Sequence, residues 1–534
     1  MEKPKSWSFR ITRFFLFLLI FLAGCAPRIE KAQPIVLPQA KDADLQGTLV
    51  FALAGEVSIL NPLLSTDSSS SAVEGAIFSG LTTVNEKLEI VPDLAKSWKV
   101  SPDGKIWTFY LRQKVKWHDG VEFTSQDVKF TFDKLIDPKV NTVRRSSYII
   151  NGRPIQTKII DRYTVQFILP QAFAPFLTNT GMGILPYHLL KNQDLNTASF
   201  NRAPIGTGPF KFDSWKMGEH IKVVRHKDYY LGNPKLAGII YKIIPNADSI
   251  LSALEAGEVD EAGVSAKDYK RIKAKPGINV FEYDSLTYTY LGLNLSHPIF
   301  SDKRVRQALA YATDKDKLVK LLFKGLASPA WAPLAPQSWA YSDKVKTYPY
   351  SIEKAKELLA QANLSQGFEF TVLVNQGNKE REKAAIVLQQ MYKKINVKMN
   401  IQVLEWSALI KKVNAFSDPK PFDAVIIGWS LGLDPDGYSI WHSSQYPRGF
   451  NFVKYRNPQL DKLLESGRTT MNKEKRKEIY AKISQLITED QPYVFLWYPK
   501  AVAAISQRVG GLSRPGPAGL FLNMHQVFVT HRGK

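Results

Sequence analysis

One cysteine, Cys25, in 534 residues leaves no possibility of an internal disulfide framework. Thiolate metal sites are excluded as well, and the eight histidines are mostly isolated, so no metal centre or other cofactor is expected. Past the N-terminal leader no stretch approaches 18 unbroken apolar residues, the length at which a membrane helix becomes credible. No unit repeats at a fixed period. Acidic residues are scarce, with 49 Asp and Glu against 71 Lys and Arg and a net charge of +22. Nucleic-acid binding needs basic residues gathered on one element and interleaved with aromatics. Here the lysines spread along the chain, on exposed helix positions such as Lys354, Lys356, Lys393 and Lys394. That pattern describes a solvated surface that can sit near anionic lipid, and no nucleic-acid partner is expected.

The single thiol has a telling position. Lys3, Lys5, Arg10 and Arg13 precede the apolar run Phe14 to Leu22, and small Ala23 and Gly24 lead into Cys25. A basic start, a short apolar core and small residues make a secretory signal, here residues 1–24. Nine residues rise only about 14 Å as a helix, roughly half a bilayer core. Leu22-Ala23-Gly24-Cys25 resembles a bacterial lipobox, in which the cysteine is lipidated after cleavage; an ordinary signal peptide with an incidental cysteine is the alternative. Residues 25–46, rich in Pro, Lys, Ala and Gln, read as a tether. A mature chain of roughly 500 residues is too long for one core, so two or more lobes are expected.

Gly47 to Leu53 reads as a first strand, followed by a loop from Gly55 to Ser71 containing "LNPLLSTDSSSS", then a short helix from Ala72 to Leu81. Trp107, Phe109 and Leu111, and again Val165, Phe167 and Leu169, alternate with polar residues as half-buried strands do. Between them Ser125 to Leu135 has helical spacing with a Thr124 or Ser125 cap. A helix over Ser249–Glu255 should end at Gly257. Further helices carry Val305 to Ala312 and Ile352 to Leu359, and one from Ala384 to Lys394 feeds a strand over Val397–Leu404. Ala424 to Gly428 reads as a fully buried strand. The last third thus alternates strand and helix, the mark of an α/β lobe.

Several short motifs invite chemical readings. Gly428-Trp429-Ser430-Leu431-Gly432 matches G-x-S-x-G, and Asp434 with His442, His525 or His531 would complete a hydrolase order. However, Gly432, Pro435 and Gly437 leave no room for the helix that must follow the nucleophile. Asp434-Pro435-Asp436-Gly437 lacks the twelfth-position carboxylate of a calcium loop, since Gln445 stands there. "WHDG" at Trp117–Gly120 and "GTGP" at Gly206–Pro209 read as turns. Ser417-Asp418-Pro419-Lys420 matches S-x-x-K, but a proline interrupts the turn. None of these motifs reads as catalysis, and no enzyme activity is expected.

The longest signal is "VPDLAKSWKVSPDGKIWTFYLRQKVKWHDGVEFTSQDVKFTFDKL", Val91 to Leu135. It resembles the signature of the family 5 extracellular solute-binding proteins, the dipeptide and oligopeptide receptors of ABC importers. The likeness continues in order through "GTGPF" (Gly206–Phe210), "YLGLNL" (Tyr290–Leu295), "DKRVRQALAYATD" (Asp302–Asp314), "GWSLGLDPDGY" (Gly428–Tyr438), "NPQLDKLL" (Asn457–Leu464) and "QPYVFL" (Gln491–Leu496). It implies an α/β, two-lobed flytrap fold. Lobe I would be residues 47–289, with an extra subdomain at about 77–202 and completion by 498–534; lobe II would be 290–497.

The resemblance also implies the function: a lipid-anchored, exported receptor that captures peptide and delivers it to permease and ATPase subunits. It would act as a monomer tied through Cys25 to the membrane in the periplasmic space or on the outer face of the cytoplasmic membrane. Closure on ligand and main-chain hydrogen bonding of an extended peptide suit Ser68, Ser69, Tyr288, Tyr290, Asn294, Trp406, Trp429 and Asp434 as contacts. For each, core packing or loop solvation is the alternative. Dipeptide receptors that this chain resembles hold the ligand amine with an aspartate just after the "GW" pair, where this chain has Leu431 and Gly432. Their carboxylate-binding arginine falls where this chain has Asn375 to Asn378, with Arg381 already in the next helix. Strict dipeptide selection is therefore not implied; oligopeptides lead, with oligosaccharide or another solute as the alternative. A serine hydrolase using Ser430 and a signalling or chaperoning lipoprotein are the readings from other classes.

Overall fold

The computed structural model describes residues 35–39, 44 and 46–531; Cys25, the leader and most of the tether lie outside them. Among the described residues, no helix is long and apolar enough to cross a membrane.

Two sheets and one extended core build the first lobe. In one sheet Thr48–Leu53 lies parallel to Gly238–Ile243, which continues antiparallel through His220–Arg225 to Phe210–Lys216. In the other, Ala95–Val100, Ile106–Leu111, Thr164–Ile168 and Gln156–Asp161 form an antiparallel meander. Phe109, Val165 and Phe167, the inward positions of the expected alternation, are fully buried. The helix Ser125–Ile136 packs on this sheet, and its Thr124–Asp127 capping box satisfies the first-turn donors.

An eight-stranded sheet builds the second lobe and reaches back into the first. Its centre is the 14-residue strand Tyr493–Ser506. The first half pairs with Thr287–Leu293 and Ala327–Pro329, the second with Ile278–Asp284 and Glu261–Gly263. Thr287–Leu293 continues the sheet to Ala424–Ser430, Phe368–Asn375 and Val397–Leu404. Alternate residues feed different cores: Leu291, Leu293, Val372 and Ile426 on one face, Tyr288, Tyr290, Leu373 and Ile427 on the other. Such a sheet is covered on both sides, which is why Ala424 to Ile427 reads as a continuous apolar run. Between the two groups of strand pairs, Ser285 Oγ donates to the Pro499 carbonyl at 2.9 Å.

Two helices begin earlier than their apolar spacing indicates. The serine run is the first turn of the helix Ser68–Ile77, because Asp67 caps it and accepts from Ser70 N at 2.9 Å. Serine competes with backbone bonds inside a helix but is tolerated in its opening turn. Asn378 likewise starts the helix Lys379–Lys393.

The lobes are shut against each other. Asn414 Nδ2 donates to Thr66 Oγ1 at 2.8 Å, and Arg468 Nη2 donates to the Ser146 carbonyl at 2.7 Å. Ala174 N donates to the Arg468 carbonyl at 2.8 Å. A Cβ on Gly55 would stand 2.7 Å from Trp406 Cβ, so glycine is what allows that approach.

Candidate functional site: the cleft between the lobes

A cavity of about 790 Å³ lies where the lobes meet. Lobe I contributes Asp67, Ser68, Ser71 and Arg144; lobe II contributes Trp406, Asn414, Trp429 and the loop from Ser430 to Gly437. The wall mixes apolar and polar surface, as a small-molecule site does.

Trp406 opens the helix Trp406–Val413, whose first turn is fixed by Glu405 accepting from Ser407 N and Ala408 N at 2.7 and 3.1 Å. Its indole Nε1 is buried without a hydrogen-bond partner. Trp429 ends a buried strand and packs 5.2 Å from Phe452 and 5.4 Å from Phe450, its Nε1 also unpartnered. Buried indole N–H groups normally find an acceptor; both of these are buried without one at hydrogen-bond distance, and that of Trp429 lies toward the Tyr493 hydroxyl behind the wall.

The cleft carboxylates are already engaged. Asp434 takes both terminal nitrogens of Arg476, at 2.6 and 2.9 Å. Asp436 accepts from Arg468 Nε at 3.0 Å and from Tyr438 N at 3.1 Å; desolvation pushes its carboxyl up while Arg468 opposes the rise. Arg381, by contrast, donates only to Asn375 Oδ1, at 3.0 Å, and meets no carboxylate among the described residues. Burial pulls its guanidinium down to about 10, still cationic at neutral pH. A Cβ at Gly428 would stand 3.0 Å from Arg381 Nη2, so the glycine of the "GW" pair lets the guanidinium lie against the strand.

Of the residues expected from sequence, Ser68, Trp406, Trp429 and Asp434 come together on the cavity wall. Ser69 faces inward and is 6% exposed. Tyr288 and Tyr290 are fully buried one layer behind the wall, with Tyr290 stacked at 3.8 Å on Tyr493. Asn294 stands apart: its Nδ2 donates to the carbonyls of Phe422 at 2.7 Å and Lys420 at 3.3 Å, tying down a loop. Lys420 of the S-x-x-K match is a staple too, donating to the carbonyls of Val413, Ala415 and Pro447. Arg381 escaped sequence reasoning because a helix position three residues past a cap reads as surface; Gly428, 47 positions on, explains its place.

Ser430 ends its strand, and no helix follows until Tyr438. His442, the nearest candidate base in sequence, instead faces Asp461 and Glu465, with its Nδ1 on Ser444. The wall presents donors, rings and carboxylates.

Two jaws shut on a cavity between them have the form of a ligand-capturing receptor. The sequence model for bacterial extracellular solute-binding proteins, family 5 (middle region), matches residues 89–451, and the chain belongs to that family. The oligopeptide-binding protein AppA of Bacillus subtilis is 35% identical over 95% of this chain and 96% of its own length. The structure of that protein with a nonapeptide superposes with a TM-score of 0.87, covering 92% of this chain and 100% of the other. NikZ from Campylobacter jejuni, solved with Ni(L-His), superposes at 0.83 with 31% identity, covering 90% of this chain and 99% of the other.

Proposed function

We propose that this chain is the substrate-binding subunit of an ABC importer, that it captures peptides, chiefly oligopeptides, and that it hands them to a membrane permease driven by ATPase subunits. Lipid on Cys25 tethers a monomer to the cell envelope, and the jaws are residues 47–289 with 498–534, and 290–497. The observation that carries the reading is the shut cavity of about 790 Å³ walled by Trp406, Trp429 and an Arg381 that meets no carboxylate among the described residues. An extended peptide offers main-chain carbonyls to donors on that wall and a carboxylate to the arginine. Arginines hold Asp434 and Asp436, and Ser58 and Ser70 hold Asp67, so the cleft carboxylates among the described residues are not set aside for a ligand amine at a fixed distance, which favours variable length. The AppA nonapeptide complex supports this substrate class.

The test is mass spectrometry of whatever co-purifies in the cleft, followed by calorimetry with the ligand-stripped chain. Recovered peptides of several lengths are expected, with Trp429→Ala weakening their binding while unfolding stays cooperative. Recovery of oligosaccharide or a metal chelate, and no peptide, refutes the substrate assignment.

A further inference from the structure

A second chamber of about 420 Å³ lies beside the cleft, and Ser71 and Arg144 belong to the walls of both. The helix Ser68–Ile77 runs from one into the other. Ser68, Ser71 and Ala72 face the cleft, and Ser71 and Gly75 face the chamber, all of them exposed and none larger than a serine. Residues at this spacing share one helix face and form a smooth track.

One polar atom on the chamber wall lacks a hydrogen-bond partner. Glu74 is 7% exposed; Ser65 Oγ donates to its Oε2 at 2.8 Å, while Oε1 is buried with no hydrogen bond. Burial pushes this carboxyl up to about 8, so at neutral pH it is largely protonated and can donate. Arg144 is anchored on the carbonyls of Pro62 and Ser65, at 3.1 and 2.8 Å, and has no carboxylate at salt-bridge distance among the described residues. A buried oxygen without a hydrogen bond is an open position for a partner.

We propose that the chamber is a second subsite of the receptor, in which the extension of a longer peptide lies along the Ser68–Gly75 face and offers its main-chain carbonyls to Arg144 and Glu74. This rests on the peptide reading above. Ser68 to Gly75 spans about 10 Å of helix, the length of roughly three extended residues. Of this, Ser71 to Gly75 lies along the chamber, about 6 Å of helix, so the track adds about two extended residues to what the cleft holds.

Gly75→Leu tests the subsite without threatening the fold. Nothing stands within 4 Å of a Cβ at Gly75, and leucine is the better helix former. The ligand-stripped full chain and the variant are titrated calorimetrically with Ala-Ser-Ala and with Ala-Ser-Ala-Ser-Ala-Ser, and urea unfolding confirms an unchanged or higher midpoint. The native chain should bind the six-residue peptide at least tenfold more tightly than the three-residue one. The variant should lose that advantage and keep its affinity for the short peptide. Equal affinities for both peptides in the native chain, or an undiminished advantage in the variant, overturn the subsite while leaving the peptide receptor standing. Binding of neither peptide to the native chain overturns the peptide reading and the subsite together.

Discussion

Arg476 closes on Asp434 with both guanidinium nitrogens, at 2.6 and 2.9 Å, and their side chains are 7% and 13% exposed. The pair sits at the cleft wall, where Trp339 and Tyr480 flank the guanidinium at 5.4 Å. Two charges removed from water in this way are tolerated because each satisfies the other, and the bidentate geometry recovers most of the desolvation cost.

Removing one partner strands the other. Arg476→Met should destabilise the chain by about 3–5 kcal/mol, the usual effect of an unpaired buried carboxylate. Adding Asp434→Leu to that variant should restore more than half of the loss. Urea unfolding midpoints of the two single variants and the double variant give the coupling; additive losses would show that the pair is not a unit.

The contact from Asn414 to Thr66 bridges the lobes at 2.8 Å, so it exists only in the shut state. Thr66→Val keeps the shape and deletes the acceptor. One neutral hydrogen bond contributes about 0.5–1.5 kcal/mol, so ligand affinity should fall roughly 2- to 10-fold. The urea midpoint of the ligand-free chain should move little, because each lobe keeps its own core. Unchanged affinity would remove this bond from the closure.

Arg381, like Arg144, lines the cleft and has no carboxylate at salt-bridge distance among the described residues. Arg381→Met should weaken binding of a peptide with a free carboxylate by about 1.5–3 kcal/mol, the range for hydrogen bonds to charged groups. Arg381→Lys should rescue little, since a point charge does not reproduce a planar fork. The matching C-terminal amide should lose far less. Equal losses for acid and amide would take the guanidinium out of ligand recognition.

What the sequence made legible followed local rules. Strands such as Val397–Leu404 and the cap at Thr124 rest on alternation and on one side chain reaching a neighbouring N–H, and both stand as expected. The two-lobed α/β fold was legible from motifs kept in order. Errors arose where local chemistry permits two outcomes. "DSSSS" is equally a hydroxyl-rich loop or a capped helix start, and the decision came from Asp67 receiving Ser58 and Ser70 hydroxyls. The site was less legible, because its logic is long-range. That Asp434 is held by a residue 42 positions away, or Asn294 by carbonyls more than 120 away, leaves no trace in spacing.

The two turns "WHDG" and "GTGP" show the same effect and carry a pH prediction. His118 Nδ1 accepts from Gly206 N at 3.1 Å, and its Nε2 donates to the Gly208 carbonyl at 3.0 Å, so one neutral imidazole clasps the second turn. The ring lies 4.9 Å from that of His226, and Lys211 Nζ donates to the His118 carbonyl at 2.8 Å. Desolvation pulls the imidazole down to about 3, helped by the nearby His226 and Lys211 charges and opposed by the Gly208 carbonyl and Asp119. The folded chain therefore binds fewer protons here than the unfolded chain between about pH 6.5 and 3. This contribution to stability is complete above pH 6.5 and is lost as the pH falls through that window, by up to about 1.4 kcal/mol per pH unit. Glu74, Glu261 and Asp93, pushed up by burial to about 8, 7 and 6, act in the opposite direction, so the net slope of the native chain mixes these and other buried groups. Comparison with His118→Gln, which keeps a donor and an acceptor but cannot titrate, isolates the histidine. The variant should start less stable at pH 7 and lose less between pH 6 and 4, measured by urea unfolding at each pH; parallel slopes for the two chains would show that His118 is not the group being protonated.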